Sequence, residues 1–168
     1  MTLKTKRLTL RAAKQDDLHD LFAIFSDPCA MQYWSTAPHE TPARTQENLD
    51  RLIASAAEQL VYFVIEMNGR VIGTAGMHKD NEVGFLLHPD YWRKGIVTEA
   101  MDAIIPYLFA ETDVTELTAD ADPRNEASVG LLKSLGFQET HRAKNTFCIN
   151  GAWSDSVYFA LPRPAASR

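Results

Sequence analysis

The chain has 168 residues, of which 45% are hydrophobic and 23% charged, and its formal net charge at pH 7 is −5. This length and composition are typical of one soluble domain with a core of its own. The small acidic excess argues against a nucleic-acid partner, because proteins that bind phosphate backbones usually carry a basic surface. It is compatible with a cationic partner such as an amine.

The cysteine content and the lengths of the apolar runs indicate the cellular compartment of the protein. Cys29 and Cys148 are too few for a disulfide framework, and neither has a metal-ligating neighbour at two-residue spacing. No run in the sequence approaches the roughly 20 apolar residues of a membrane span, and none of signal-peptide length follows the basic residues near the N-terminus. We therefore expect a cytoplasmic protein with reduced thiols, no metal and no membrane partner.

The first third of the chain predicts a strand and two helices. Leu8 and Leu10 alternate with polar residues, as in a half-buried strand. Apolar residues then recur at helical spacing from Leu18 to Phe25, and this helix should end near Asp27-Pro28. A second helix is predicted to begin at Thr41-Pro42 and to bury a stripe formed by Leu49, Leu52, Ile53, Ala56 and Leu60.

The period then changes to that of strands. Residues 61–67 and 71–77 flank Asn68-Gly69, a pair typical of a tight hairpin, and a third strand is predicted over 82–88. A turn leads into a helix in which Pro106 predicts a kink or an early end.

The last third predicts a strand, a helix and a hairpin. The strand covers 114–119, and Asp122-Pro123 is expected to open a helix that ends at Gly136. Residues 137–161 then form a hairpin that folds at Asn150-Gly151. The element order predicts an α+β (mixed α/β) domain over 1–162 and a flexible tail over 163–168.

The first candidate site is the passage from strand to helix in residues 82–100. The first amides of a helix lack internal partners and lie at the positive end of its dipole, so they bind phosphate oxygens well. Arg93 and Lys94 add positive charge there, and Gly95 allows an anion to approach the backbone. Alone, this pattern is more often plain surface, and it matches neither a Walker loop nor a dinucleotide fingerprint.

The second candidate site is the helix that follows Asp122. Asn125 and Ser128 are three residues apart and therefore share a helix face. In isolation the simpler interpretation is a capped amphipathic helix with two incidental polar residues.

In this order and at this separation, the two segments resemble the GNAT acetyltransferase superfamily. The closer resemblance is to its Rim-type branch, which acetylates the N-termini of ribosomal proteins. It spans about residues 3–162 and depends on four segments: 5–11, 91–100, 125–128 followed by 135–137, and 150–155. It implies a GNAT-like domain whose central, mostly antiparallel sheet has about seven strands flanked by about four helices.

The resemblance also implies a site for acetyl-CoA, used as co-substrate. Its pyrophosphate would lie on the turn that follows Trp92, its pantetheine arm would pair with backbone groups like an added strand, and Ser128 would lie near the sulfur. The implied cofactor-binding residues are Leu86, Leu87, Trp92, Arg93, Lys94, Gly95, Ile96, Val97, Thr98, Asn125 and Ser128.

Two positions depart from the family pattern. Val97 is bulkier than the Gly or Ala that usually stands there and would narrow the turn. Many relatives have a Tyr that protonates the leaving thiolate where this chain has Leu132. Ser128, a water molecule or no group at all would then supply that proton.

An amine that attacks a thioester must first lose a proton, and a carboxylate can accept it. Glu82 stands where related enzymes carry a catalytic glutamate, and the alternative is an exposed carboxylate at a strand edge. His78, His88 and Asp90 are weaker candidates for the same role.

The connection between the first two helices is where this family builds its acceptor pocket. Tyr33 and Trp34, together with Glu82, are the predicted substrate-binding residues, and His39 lies in the same connection. Aromatic residues in a loop can also serve only to anchor it. Asp155 is a further candidate on the acceptor side.

We therefore predict an N-acetyltransferase that forms a ternary complex and acetylates a primary amine, in first place the α-amine of a protein N-terminus. A polyamine, aminosugar or amino acid is an alternative acceptor, and a non-catalytic acyl-CoA-binding module is an alternative function. The protein is expected to be a monomer or a homodimer.

Overall fold

The computed structural model describes residues 2–55 and 61–165. These residues form a single α+β domain, as predicted, with mostly antiparallel strands and four α-helices. The helices are α1 (Leu18–Phe25), α2 (Pro42–Ser55), α3 (Ile96–Glu111) and α4 (Glu126–Ser134). Ala56 and Leu60, which belong to the stripe predicted for the second helix, lie outside the described residues.

The described strands number eight and form two sheets, whereas one sheet of about seven was expected. The first sheet has the order β1-β2-β3-β4-β5 and consists of β1 (Thr2–Lys4), β2 (Thr9–Arg11), β3 (Tyr62–Met67), β4 (Arg70–Met77) and β5 (Val83–Leu87). The second has the order β6-β8-β7 and consists of β6 (Glu116–Ala121), β7 (Gln138–Ile149) and β8 (Ala152–Pro162). The additional strand, β1, has three residues, too few for an alternating pattern to reveal it.

The two predicted tight turns are present. Asn68 and Gly69 have φ of 53° and 78°, and Asn150 and Gly151 have φ of 51° and 81°. Positive φ at both central residues matches the twist of antiparallel strands, which is why Asn-Gly favours a hairpin.

Both faces of the first sheet are covered by helices. On one face Ile72 and Leu87 pack in the same buried cluster as Ile104 of α3. On the other face Val64 and Leu86 pack with apolar residues of α1 and α2. The layers are therefore helix, sheet and helix, and β5 is buried on both sides.

Helix α3 does not end at Pro106, so that part of the prediction was wrong. The helix continues to Glu111 and buries Ile104 and Leu108 completely. Pro106 lies on the exposed face, where water can satisfy the carbonyl that loses its partner. Burial of apolar residues on both sides of the proline outweighs the lost hydrogen bond.

The two sheets meet at a narrow junction. Among the described residues one isolated parallel bridge connects them, and it joins Glu82, just before β5, to Thr118 of β6. Beyond this bridge the strands diverge, and the divergence leaves one side of β5 open. None of the helices in residues 2–55 and 61–165 has the length and apolar character that a membrane crossing needs.

Arg163 lies within the predicted tail and is tied to the end of α3. Its guanidinium donates hydrogen bonds to the carbonyls of Phe109 (2.6 Å), Thr112 (2.6 Å) and Val114 (2.9 Å). The last carbonyls of a helix have no partner within it, so a cation here satisfies them and interacts favourably with the helix dipole.

We expect Arg163→Ala to lower stability by about 1–3 kcal/mol, because several carbonyls lose a charged donor. For a domain of this size the melting temperature should fall by about 2–10 °C. The control is Arg44→Ala, which breaks an exposed ion pair with Glu47 on α2 and should change stability little. Equal melting temperatures for the two variants in a calorimetric scan would contradict this role of Arg163.

Candidate functional site

A cavity of about 670 Å³ opens where β5 and β6 diverge, a size typical of small-molecule sites. Its walls are β5, β6, the turn before α3 with the start of that helix, α4 with its cap, and the connection between α1 and α2. The predicted site residues that line it are Tyr33, Trp34, Leu86, Leu87, Trp92, Arg93, Gly95, Ile96, Val97, Thr98, Asn125 and Ser128. Lys94 and Glu82 are not among the lining residues.

The turn before α3 presents backbone amides to the cavity. Gly95 is the N-cap of the helix with φ of 71°, in the left-handed region, and Arg93 has φ of 61°. Within the described residues no side chain caps the first amides of this helix. The amides of Ile96 to Thr98 therefore have no partner among the described residues and are available to an anion.

Two side chains of the turn have roles that the sequence did not reveal. The indole nitrogen of Trp92 donates a hydrogen bond to the Leu87 carbonyl at 2.9 Å, which ties the turn to the end of β5. The Lys94 ammonium lies over the Tyr91 ring, 5.8 Å from its centroid. Lys94 thus contributes charge near the turn without reaching the cavity wall.

Asn125 and Ser128 form the cap of α4. Asn125 Oδ1 accepts a hydrogen bond from the Ser128 amide at 3.2 Å, and Asn125 Nδ2 donates one to Ser128 Oγ at 3.0 Å. The prediction that Asp122-Pro123 opens this helix was wrong, because the Asp122 carboxylate is engaged by Arg124 instead. The Asn125 amide still has a second N–H and a free lone pair for a ligand.

Leu132, which stands where many relatives have a Tyr, is 1% exposed and forms part of the cavity wall. It fills apolar space and offers no proton.

Three carboxylates, those of Asp80, Glu82 and Asp120, lie near one another at the junction of the two sheets. Burial, followed by the charges of Asp120 and Asp80, raises the pKa of Glu82. Burial also raises the pKa of Asp120 against the lowering effect of the Ser156 hydroxyl, and the charge of its neighbour Asp122 adds to the rise. Asp120 lines the cavity, and its Oδ1 is buried without a hydrogen-bond partner among the described residues.

Asp120 was not predicted from the sequence. On β6 the residues Leu117, Ala119 and Ala121 are buried in the core, so Thr118 and Asp120 share the opposite face. The available signal was the residue type, because Asp is depleted in strands and a half-buried one needs a reason.

A tyrosine and a histidine approach the same part of β5. The hydroxyl of Tyr62 is buried without a partner among the described residues, and burial raises its pKa far above the ordinary value. The ring of His78 lies against that of Tyr62, with centroids 4.6 Å apart, and burial lowers its pKa. A Cβ on Gly84 would lie 3.0 Å from the hydroxyl and 3.1 Å from His78 Nε2, so glycine permits this approach.

The other predicted bases have local roles. His88 Nδ1 accepts a hydrogen bond from the Asp90 amide at 3.1 Å and shapes the exit of β5. The Asp90 side chain is 82% exposed. Neither residue lines the cavity.

The connection between α1 and α2 covers the cavity with Tyr33 and Trp34. The Arg124 guanidinium lies over the Tyr33 ring, 5.6 Å from its centroid. His39 does not line the cavity but anchors the connection, since its buried ring stacks on Phe25 and makes a 2.7 Å hydrogen bond with Thr45.

Asp155 accepts a hydrogen bond from the Asn145 amide at 2.9 Å and holds the last hairpin. It lines a smaller cavity of about 170 Å³ beside Arg124 and Trp153.

Together these features define what the cavity can bind. One end offers helix amides and Arg93 to phosphate groups, and the open side of β5 offers backbone groups to an extended amide chain. The junction of the sheets offers carboxylates that can accept a proton. In the described part of the chain, no three His, Cys, Asp or Glu side chains form a group suited to a metal ion.

Comparisons with known proteins agree with this architecture. The sequence profile of the Acetyltransferase (GNAT) domain matches residues 7–138. The uncharacterized N-acetyltransferase p20 of Bacillus licheniformis is 28% identical, and the match covers 95% of each chain. The spermidine N(1)-acetyltransferase of Escherichia coli K12 is 25% identical over 90% of this chain and 84% of its own.

Among solved structures, the ribosomal-protein-S5-alanine acetyltransferase from Vibrio fischeri superposes with a TM-score of 0.83 at 25% identity, with 97% of each chain covered. The relatives therefore include both small-amine and ribosomal-protein acetyltransferases. Because the GNAT profile matches well over half of the chain's length, the chain belongs to the GNAT acetyltransferase family.

Proposed function

We propose that this protein transfers an acetyl group from acetyl-CoA to a primary amine in a ternary complex. The observation that carries the proposal is a single cavity that joins an uncapped helix N-terminus at Gly95 to a carboxylate at Asp120. Such a cavity can hold phosphate groups at one end and an amine at the other. The proposed cofactor residues are those of β5, the turn before α3 and the cap of α4 that line it.

The residues present fit acetyl-CoA. The left-handed backbone at Gly95 lets phosphate oxygens reach the amides of α3, and a Cβ on this glycine would meet the Arg7 guanidinium at 3.7 Å. On the side facing the cavity, the one bridge to β6 within the described residues is made by Glu82, just before β5. This leaves backbone groups near Leu86 for the pantetheine arm. When bound, acetyl-CoA supplies a thioester carbonyl as the acetyl donor.

Side chains of the protein would then accept the proton of the amine and supply one to the leaving thiolate. We assign the proton of the amine to Glu82, directly or through a water molecule, with Asp120 as the carboxylate that faces the cavity. The raised pKa of each carboxyl, caused first by burial, makes it a better proton acceptor than an exposed carboxylate. We assign the proton for the leaving thiolate to Ser128, which lines the cavity, since Leu132 cannot supply it.

The lead acceptor is the α-amine of a protein N-terminus. The resemblance to the ribosomal-protein-S5-alanine acetyltransferase, which extends over 97% of the chain, supports it. A polyamine is the second candidate, because Asp80, Glu82 and Asp120 concentrate negative charge at the junction and a spermidine acetyltransferase is similar over most of the chain.

Turnover of acetyl-CoA against a panel of short peptides with free N-termini, N-blocked peptides and polyamines tests both candidates. Activity with free but not blocked peptides supports the lead acceptor, and activity with polyamines alone supports the second. Binding of acetyl-CoA without turnover on any amine would favour a non-catalytic acyl-CoA-binding module.

We also expect acetyl-CoA to raise the melting temperature. A ligand at 100 times its Kd adds about 2.7 kcal/mol to the native state, which corresponds to roughly 5–10 °C for a domain of this size. A dephospho or desulfo analogue should stabilise less. A melting temperature that stays constant up to millimolar acetyl-CoA would contradict the cofactor assignment.

A further inference from the structure

The segment before β2 packs against the turn that precedes α3. Thr5 and Arg7 lie 94 and 92 positions before Glu99, and both donate hydrogen bonds to its carboxylate. Glu99 Oε2 accepts from the Thr5 hydroxyl and the Arg7 amide, and Glu99 Oε1 accepts from Arg7 Nε at 2.8 Å. The segment between β1 and β2 is thereby fixed to the first turn of the helix.

This arrangement leaves most of the guanidinium unused. Glu99 engages Nε alone, and no hydrogen bond from Nη1 or Nη2 is found within residues 2–55 and 61–165. Arginine has five N–H donors, so four of them remain available. Nη2 lies 3.7 Å from the position that a Cβ on Gly95 would occupy, which is the point where an anion would approach the amides of α3.

The charge of Glu99 explains why the arginine is needed there. A carboxylate in the first turn of a helix interacts favourably with the dipole, but it would repel a phosphate bound at the same turn. The hydrogen bonds from Thr5 and Arg7 lower the pKa of Glu99 against the opposing effect of burial, so Glu99 is ionised at neutral pH. Its charge must be balanced for the turn to attract an anion.

We infer that Arg7 is a phosphate-binding residue of the acetyl-CoA site, held in place by Glu99 and directed at the anion through its terminal nitrogens. The inference depends on the proposed function, because it assigns a further residue to the same cofactor. It makes Arg7 a third cation beside Arg93 and Lys94, supplied from a remote part of the sequence.

The test compares Arg7→Gln with Glu99→Gln by calorimetric titration of acetyl-CoA. Each variant removes one partner of the same ion pair. If Arg7 binds phosphate, Arg7→Gln should raise the Kd about tenfold, as expected for the loss of one charge-assisted contact. Glu99→Gln should leave the Kd unchanged or lower it, because the amide oxygen can still accept the hydrogen bond from Arg7 Nε while a negative charge leaves the site.

If Arg7 serves only to fasten the N-terminal segment to α3, the two variants should weaken binding by the same factor. That result, or a wild-type Kd for Arg7→Gln, would overturn the inference. Arg142→Gln is the matched control, because Arg142 and Glu139 form an exposed ion pair of similar geometry that is remote from the cavity. Its Kd should equal that of the wild type.

A ligand without phosphates provides a second arm. S-acetyl-pantetheine retains the thioester and the arm, so its affinity should be the same for Arg7→Gln and the wild type. Equal losses with both ligands would show a distorted site and overturn the assignment. Failure of wild-type protein to bind acetyl-CoA at all would instead refute the proposed function, which keeps the two failures distinct.

Discussion

Glu82→Gln should lower kcat about 10²-fold at neutral pH and leave the affinity for acetyl-CoA unchanged. The amide has almost the same shape as the carboxyl group but cannot accept the proton of the attacking amine. General-base catalysis contributes roughly 10²–10⁴ in rate, and we expect the low end because water can partly replace the carboxylate. Separate measurement of kcat and KM for the amine, with acetyl-CoA saturating, checks this result.

The pH dependence gives a second signature. Burial, and then the charges of Asp120 and Asp80, raise the pKa of Glu82, so wild-type kcat should rise with pH through that raised pKa. Glu82→Gln should lose this rise. It should also regain part of its activity at higher pH, where more of the acceptor amine is neutral before it binds.

Stability separates lost chemistry from lost folding. A carboxyl group whose pKa is raised in the folded state favours folding when protonated, and this contribution is lost as the pH rises through the folded-state pKa. At neutral pH, Glu82→Gln should therefore melt at the same temperature as the wild type or higher. Glu116→Gln, which alters an exposed carboxylate on β6, is the control and should change neither kcat nor stability.

The competing account makes Glu82 a charge that only attracts a cationic acceptor. Glu82→Gln would then raise KM, leave kcat unchanged and have a milder effect at higher salt. An unchanged kcat would remove Glu82 from the proposed mechanism. Asp120→Asn would be the next variant to measure, because Asp120 lines the cavity, and His78 would follow.

Features encoded by neighbouring residues could be predicted from the sequence. The hairpins at Asn68-Gly69 and Asn150-Gly151 form because these residue types accept positive φ. The turn at Gly95 that leads into α3 could be predicted for a similar reason, since strand, turn and helix follow one another along the chain. In each case the local conformation depends on residues within a few positions.

Features that depend on distant contacts could not be predicted in this way. Asp120 faces the cavity because β5 and β6 diverge there. This divergence depends on the packing of two sheets and leaves no pattern in the neighbouring sequence. From the sequence alone, Arg7 is indistinguishable from an ordinary polar residue of a strand. Only the structure shows its contact with Glu99, 92 positions later. The continuation of α3 past Pro106 likewise depends on packing against the sheet, which overrides the helix-breaking tendency of proline.

The largest effect on cofactor binding is expected from Gly95→Asp, which should raise the Kd for acetyl-CoA by more than about 100-fold. The substitution places a carboxylate where phosphate oxygens approach the amides of α3, and two negative charges in contact repel each other strongly. The new side chain would also lie close to the Arg7 guanidinium and could pair with it. Titration of acetyl-CoA measures the loss directly.

Gly95→Asn is the matched control. Both variants place a Cβ on a residue with φ of 71°, and Asn and Asp both tolerate the left-handed region better than other residues with a side chain. The strain and the steric obstruction should therefore be similar, and only the charge differs. We expect the Asn variant to lose no more than about tenfold in affinity and the two variants to melt at similar temperatures. Equal and severe losses of affinity for both variants would mean that steric obstruction, not charge, determines binding at this turn. Wild-type affinity for Gly95→Asp would mean that the phosphate groups bind elsewhere.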